Sequence, residues 1–402
     1  MVSDNARPLS LALQGREVIL ISSPHQLLHA LCALRFDRES RRIANESPVT
    51  LVLWSYQLMD HSPNSQSRQF FDTALKSFPF VTAVLPSLKE RKWPLSPYRK
   101  LSKRVEWLRK YLDITPGECV AFYYAHDASS EHTAQAFMQA LSAKRNICYG
   151  DSPGFLYPPT KPPAPTFDIT LRGLKHLFWF SRVNIASDWI TAETALTVID
   201  FDDLDRSLPY PEHTIIPSEI LVQTLTTLKR FFAPVLQLEQ DIGTRSKTEP
   251  TWLLILSNFT SSKLTDESDE LELYVQICKE HVAPGGTILI KKHAGTPAAF
   301  VEQLVQRLDS YHAKKLPERL DSLPIEFLGH VLESCGIISV SSASALLSLL
   351  QAPHLIHALT AQNIEKFFRP AYKDYMTLAN EKILKKTRHT LPTLRSTSLR
   401  TE

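Results

Sequence analysis

The chain has 402 residues, of which 43% are hydrophobic and 22% charged, enough for two domains and too apolar for long disorder. A net charge of +3 excludes a nucleic-acid binder working through bulk positive charge, while leaving room for local basic patches. Five scattered cysteines with no CxxC pair speak against a zinc cage or a disulfide framework and for a reducing interior.

The first 150 residues alternate short apolar runs with helical patterns. Val18–Ile21 reads as a strand, followed by a helix over Gln26–Arg35 with Leu27, Leu28, Leu31 and Leu34 on one stripe. Val49–Trp54 and Val81–Leu85 are further strands, with a helix around Phe70–Leu75 between them. Leu101–Leu112 is a basic amphipathic helix, Cys119–Tyr124 a strand, His132–Leu141 a helix and Asn146–Tyr149 a strand. Strict alternation of this kind predicts a parallel sheet covered by helices on both faces. The run PPTKPPAP at 158–165 is a surface connection, because proline suits neither a central strand nor a helix interior. Residues 166–236 are less regular and complete the first domain. Gln240–Pro250 then reads as a polar linker.

A second alternating series follows. Strands are expected at Trp252–Leu256, Thr287–Lys291, Ile337–Val340 and His354–Leu359. Helices are expected at Glu270–Glu280, Pro297–Leu308, Pro324–Ser334 and Ala343–Leu350, with a basic helical tail over Ile364–Lys386. The fold class is therefore α/β with two Rossmann-like domains, over residues 1–240 and 251–365, and a helical tail over 366–402. Such halves joined by a short linker form the GT-B architecture, with a cleft between them. No apolar run approaches the roughly 20 residues of a membrane helix, and the N-terminus lacks the pattern of a signal peptide. A cytoplasmic chain is expected, at most peripheral to the inner membrane face.

Ligands in open α/β sheets bind beyond the carboxyl ends of the strands, and three such places carry chemistry. In Tyr149-Gly150-Asp151-Ser152-Pro153-Gly154 the turn residues present one carboxylate, Asp151, of the kind that takes a proton from an attacking hydroxyl; an Asp closing its own turn is the plainer alternative. Lys291-Lys292-His293 offers cations and a donor for a departing phosphate, or else a solvated basic loop. Ser341 and Ser342 follow a buried strand, where a helix N-cap or an anion contact is expected.

Together these segments resemble the motifs of bacterial sialyltransferases, in particular the α-2,8-polysialyltransferase family and its relatives. Gly150-Asp151-Ser152-Pro153-Gly154 resembles that family's acidic motif, Lys292-His293-Ala294 its His-Pro motif and Ser341-Ser342 its Ser-Ser motif. Ser22-Ser23-Pro24-His25-Gln26 resembles its opening segment, and Glu326 a family-like position for the ribose hydroxyls. Ala294 stands where the family has Pro, and Ser152 where Gly or a second acid is common.

The resemblance implies an inverting, metal-independent transferase of CMP-sialic acid acting on a glycan or glycolipid, with no cofactor and no nucleic-acid partner. It implies Asp151 as base and His293, Ser341 and Ser342 at the phosphate, with Lys291 or Lys292 adding charge. It further implies Glu326 at the ribose, and Ser23, His25 and Gln26 as substrate-binding. Two readings compete with it. Asp200 and Asp202 in DFDDLD form an Asp-x-Asp suited to a divalent cation in a metal-dependent transferase, although a solvated acidic loop explains them too. The other is a non-catalytic glycan- or nucleotide-binding protein. His126 follows a strand as well, and an ordinary turn accounts for it equally.

Overall fold

The computed structural model describes residues 17–21, 23–45, 47–53, 66–84, 101–125, 132–150, 194–200, 212–232, 236–238, 240–242, 250–293, 295–321 and 323–387. The chain divides after Phe232 into two compact units. Each is built on a parallel sheet.

The first sheet holds seven strands: β1 (Glu17–Ile21), β2 (Val49–Leu53), β3 (Val81–Val84), β4 (Ala121–Ala125), β5 (Arg145–Tyr149), β6 (Thr194–Thr197) and β7 (Glu212–Ile215). Their order is β3-β2-β1-β4-β5-β6-β7, and every pairing is parallel. Strands β1, β2 and β4 are buried along their whole length, which explains their continuous apolar sequences. The helix Pro24–Ser40 opens on proline, whose fixed φ suits a first helical turn, and buries Leu27, Leu28, Leu31 and Leu34. Two strands and the helix Ser218–Lys229 lie in the stretch that looked irregular in sequence. The edge strand β7, EHTI, is largely solvated and carries no apolar period to reveal it.

At the amino ends of these strands lies a buried ionic cluster. Arg38 is fully buried and pairs with Glu17 at 2.6 Å, while donating to the carbonyl oxygens of Asn45 and Ser47. Arg41 bridges Glu17 and Asp37, Tyr123 donates to Asp37 Oδ2 at 2.6 Å, and Arg145 Nη2 reaches Asp37 Oδ1 at 3.0 Å. Burial, the adjacent carboxylates and this hydrogen bond hold the Tyr123 phenol well above its ordinary range. The cluster ties the helix Pro24–Ser40 to β1, β4 and β5.

The second sheet comprises β8 (Thr251–Ile255), β9 (Thr287–Lys291), β10 (His312–Lys315), β11 (Gly336–Ser339) and β12 (Leu355–His357), in the parallel order β10-β9-β8-β11-β12. Leu254, Ile290 and Ile338 join Tyr274, Phe300 and Met376 in one core. Gly336 lies against Trp252, where a Cβ would meet the indole ring at 2.5 Å. Strand β10, HAKK, was not foreseen, because a polar edge strand hides its period.

Two expected helices are broken. Pro324–Ser334 is a 3-10 turn over Ile325–Phe327 and a helix over Gly329–Ser334, with Leu328 between them outside helical dihedrals. Residues 325–328 are all buried, which one face of a straight helix does not allow. Ile364–Lys386 separates into helices Ala361–Phe367 and Lys373–Thr387, because Pro370 cannot continue a helix. The second of these was expected as a basic helical tail apart from the second domain. Instead it buries Met376, Ala379 and Ile383 and belongs to the second unit. Of the expected linker, residues 240–242 are helical and 243–249 lie outside the described residues, as does the proline-rich run.

All five cysteines are free and buried, and burial pushes the Cys32, Cys119 and Cys278 thiols up to about 12. Among the described residues, no helix is long and apolar enough to cross a membrane.

Removing the fully buried Arg38 would take one of two cations from the buried Glu17 carboxylate and the donor from the Asn45 and Ser47 carbonyls. Arg38→Ala should therefore cost about 3–5 kcal/mol of stability in urea unfolding. Lys103→Ala, which breaks an exposed pair with Glu106, should cost less than about 1 kcal/mol in the same assay.

Candidate functional site

Both sheets place their first strand centrally, with the chain turning back to the other side at the fourth. Their switch points therefore lie between β1 and β4 and between β8 and β11, where ligands of such sheets bind beyond the carboxyl ends.

In the first unit, Ser23-Pro24-His25-Gln26 begins two positions after the end of β1. Ser23 and Gln26 are buried and His25 is exposed, with Ser23 Oγ 3.0 Å from His25 Nδ1. Ser23 holds the extended geometry of an N-cap but makes no side-chain cap bond; its hydroxyl turns to the imidazole. Strand β5 ends at Tyr149, and Gly150 N–H donates to the Leu196 carbonyl at 2.9 Å, extending its ladder with β6 by one bond. Asp151 lies outside the described residues, as do His126 and Asp202. Asp200 is exposed beyond β6, and its charge acts against the burial that lowers His213 of β7.

In the second unit, Lys291 and Ser339 both pair in register with Ile255 of β8. Lys292-His293 and Ser341-Ser342 thus leave the sheet at the same level, from strands two spacings apart, about 10 Å. Lys291 is buried and its Nζ donates to the Asp321 carbonyl at 2.7 Å, while Lys292 N–H donates to Asp321 Oδ1 at 2.9 Å. Burial lowers the Lys291 ammonium to about 8 against the opposing pull of Asp321 and Glu326. Burial likewise raises the Asp321 carboxyl. Glu326 is itself buried, so it joins Lys291 and Asp321 in a polar cluster close under the edge of β9.

His293 is exposed, and its Nδ1 accepts the Gly295 N–H at 3.1 Å. That bond selects the neutral tautomer with the proton on Nε2, which is a donor without any need for full protonation. Ser341 is half-buried and Ser342 buried. Ser342 stands at the N-cap position without the expected side-chain cap: its dihedrals are already helical, and its side chain makes no cap bond. The backbone carbonyls of Ser341 and Ser342 accept the N–H groups of Ser344 and Ala345 instead. Behind this pair, Ser344 Oγ meets His357 Nδ1 at 2.7 Å, and His357 Nε2 meets Asn380 Oδ1 at 2.7 Å. Asn380 Nδ2 donates to the Leu359 carbonyl, so Nε2 carries the proton and Nδ1 accepts from the serine. Ser344 is fully buried, and this chain of bonds fixes the backbone that presents Ser341.

Beside the carboxyl ends of β8 and β9 opens a pocket of about 120 Å³, lined by Asn258, Thr260, Ser261, Thr296 and Phe300 among others. Sequence reasoning missed Asn258 and Asp321. Asn258 follows strand β8 and was open to the same rule that singled out His293. Asp321 follows the unrecognised strand β10.

Fold and site together define a protein of two parallel α/β domains with polar side chains gathered at the carboxyl edge of each sheet. No protein-family model matches the chain. No curated protein sequence matches it. Among solved structures it aligns with a sialyltransferase from Photobacterium damsela at 10% identity and TM-score 0.46, covering 92% of this chain and 80% of that one. The GT-B domain of the Photobacterium damselae sialyltransferase aligns at 9% identity and TM-score 0.44, over 92% and 96% of the two chains. UDP-GlcNAc 2-epimerase from Neisseria meningitidis aligns at 10% identity and TM-score 0.45, over 83% and 81%.

The buried lysine makes a pH-dependent contribution to stability. Its folded-state pKa of about 8 lies below the ordinary 10.5, so between these values the unfolded chain holds the proton that the folded chain has released. Stability from this group therefore rises with pH across that window, by on the order of 3 kcal/mol in all. Lys291→Met should lack this rise when urea midpoints of the two proteins are compared from pH 7 to 10.

Proposed function

We propose that this chain is an inverting, metal-independent glycosyltransferase that moves sialic acid from CMP-sialic acid to a hydroxyl of a glycan or glycolipid. One observation carries the reading: Lys292-His293 and Ser341-Ser342 rise in register from the two strands that flank β8, on the edge where such sheets bind ligands. A nucleoside monophosphate leaving group carries concentrated negative charge. One cation, an imidazole N–H and two hydroxyls about 10 Å apart at their roots are suited to grip it from two sides.

In this mechanism the acceptor hydroxyl meets the anomeric carbon of the donor sugar, whose phosphate is held on the second unit. The acceptor oxygen attacks the anomeric carbon while Asp151 takes its proton. The bond from that carbon to the phosphate oxygen breaks, and its electron pair leaves with CMP. His293 Nε2–H, Ser341, Ser342 and Lys292 stabilise the charge as it develops on the phosphate. Lys291 supports them from below, held by Asp321. Glu326 is assigned to the ribose hydroxyls, and Ser23, His25 and Gln26 to the acceptor side. A single displacement inverts the configuration, and the protein cations and donors make a metal or other cofactor unnecessary. The reaction belongs to the cytoplasm, with the basic C-terminal end as a peripheral contact to anionic lipid at the inner membrane face. Nucleic acid is not a partner.

The test is CMP release from CMP-sialic acid by the purified chain, with and without EDTA. The chelator should leave the rate unchanged. Asp151→Asn should slow transfer about a hundredfold or more by removing the base, and His293→Ala about a hundredfold by removing a donor at the developing charge. Undiminished release from both variants would remove the site assignment, and sensitivity to EDTA would shift the reading to Asp200 and Asp202.

A further inference from the structure

The pocket beside β8 and β9 is set apart from the phosphate groups by the hydrogen bonds its lining has already made. Thr260 Oγ1 donates to Glu270 at 2.5 Å, Ser261 Oγ to the Asn258 carbonyl at 3.2 Å and Thr296 Oγ1 toward the Ser257 carbonyl at 3.5 Å. Each hydroxyl has therefore committed its one proton and presents lone pairs. Glu270 is buried and occupied as an acceptor by the N–H groups of Phe259 and Thr260 together with that hydroxyl. Glu267 adds an exposed carboxylate to the lining.

Such a lining repels phosphate or carboxylate and calls for a ligand rich in hydrogen-bond donors. The Asn258 side-chain amide makes no hydrogen bond to another described residue and offers both a carbonyl oxygen and an N–H₂ group. Gly295 leaves room for it, because a Cβ there would stand 2.3 Å from Asn258 Nδ2. Phe300 closes one side with an apolar wall. The volume of about 120 Å³ admits several waters or a short carbon chain bearing hydroxyls.

We propose that this pocket is a polyol subsite. It takes the uncharged, hydroxyl-bearing chain of the transferred sugar, whose O–H groups donate to Ser261, Thr260 and Glu267 while its oxygens accept from Asn258. The assignment rests on the sialyl-transfer reading above, in which the sugar beside the phosphate carries such a chain.

Titration calorimetry tests it with three probes. They are CMP, intact CMP-sialic acid, and CMP-sialic acid made from a sialic acid whose side chain was shortened by periodate cleavage and borohydride reduction before the nucleotide was attached. Asn258→Ala should weaken the intact donor about tenfold and Ser261→Ala about threefold, the scale of one or two neutral hydrogen bonds. Neither should change binding of CMP or of the shortened donor. Ser261 is exposed, so that variant reports even if Asn258→Ala fails to fold. Wild-type affinity of both variants for the intact donor overturns the subsite alone, as does an equal loss for CMP, which would assign the pocket to the nucleotide. A wild-type chain that binds neither CMP nor the donor overturns the transferase reading, and the subsite with it.

Discussion

Strand β8, hydrogen-bonded in parallel to β9 on one side and β11 on the other, is the constraint on which the candidate site depends. Parallel pairing forces each connection to cross over the sheet, so successive strands all end at one edge. Register does the rest: because Lys291 and Ser339 share Ile255 as a partner, their following residues start level. No long-range folding of loops is needed to bring a basic segment and a serine segment to neighbouring positions. The ladder does it, residue by residue.

The two edges of the sheets serve different ends. In the first unit the amino edge carries Glu17, Asp37, Arg38, Arg41, Arg145 and Tyr123, a cluster with most of its hydrogen-bonding capacity internally used. Such a group stitches a helix to three strands. The carboxyl edge of the second unit differs: His293 and Lys292 are at least partly open to solvent, and beneath them the buried Lys291 ammonium donates to the Asp321 carbonyl while the Asp321 carboxylate accepts the Lys292 N–H. A buried lysine is costly, and its place here is explained by the two hydrogen bonds through which Asp321 fixes the backbone that carries His293.

Much of this was legible in the sequence, for a physical reason. Central parallel strands such as VILI and TILI are buried on both faces and stand out as apolar runs. Edge strands β7 and β10 face water, and EHTI and HAKK do not stand out at all. The breaks at Leu328 and Pro370 show the limit of periodicity: apolar residues in a helix-like spacing also fit two short turns packed into a core. The same limit shaped the site. Lys291, Lys292, His293, Ser341 and Ser342 were singled out as candidates by looking past visible strands, whereas Asp321 was hidden behind an invisible one. The side-chain cap expected of Ser341 or Ser342 is not made by Ser342, which stands at the N-cap position with dihedrals already helical, a distinction of one backbone dihedral pair that composition does not encode.

The bond from His357 to Asn380 has a practical consequence for anyone shortening the chain. Asn380 lies on the helix Lys373–Thr387 and reaches both His357 and the Leu359 carbonyl, so this last helix is stapled to the end of β12 and, through Ser344, to the backbone bearing the serine pair. Trimming the basic terminus for crystallisation or expression has to stop beyond Thr387. Cutting ahead of Lys373 would strip Met376 and Ile383 from the core and unfasten the serine segment in the same stroke.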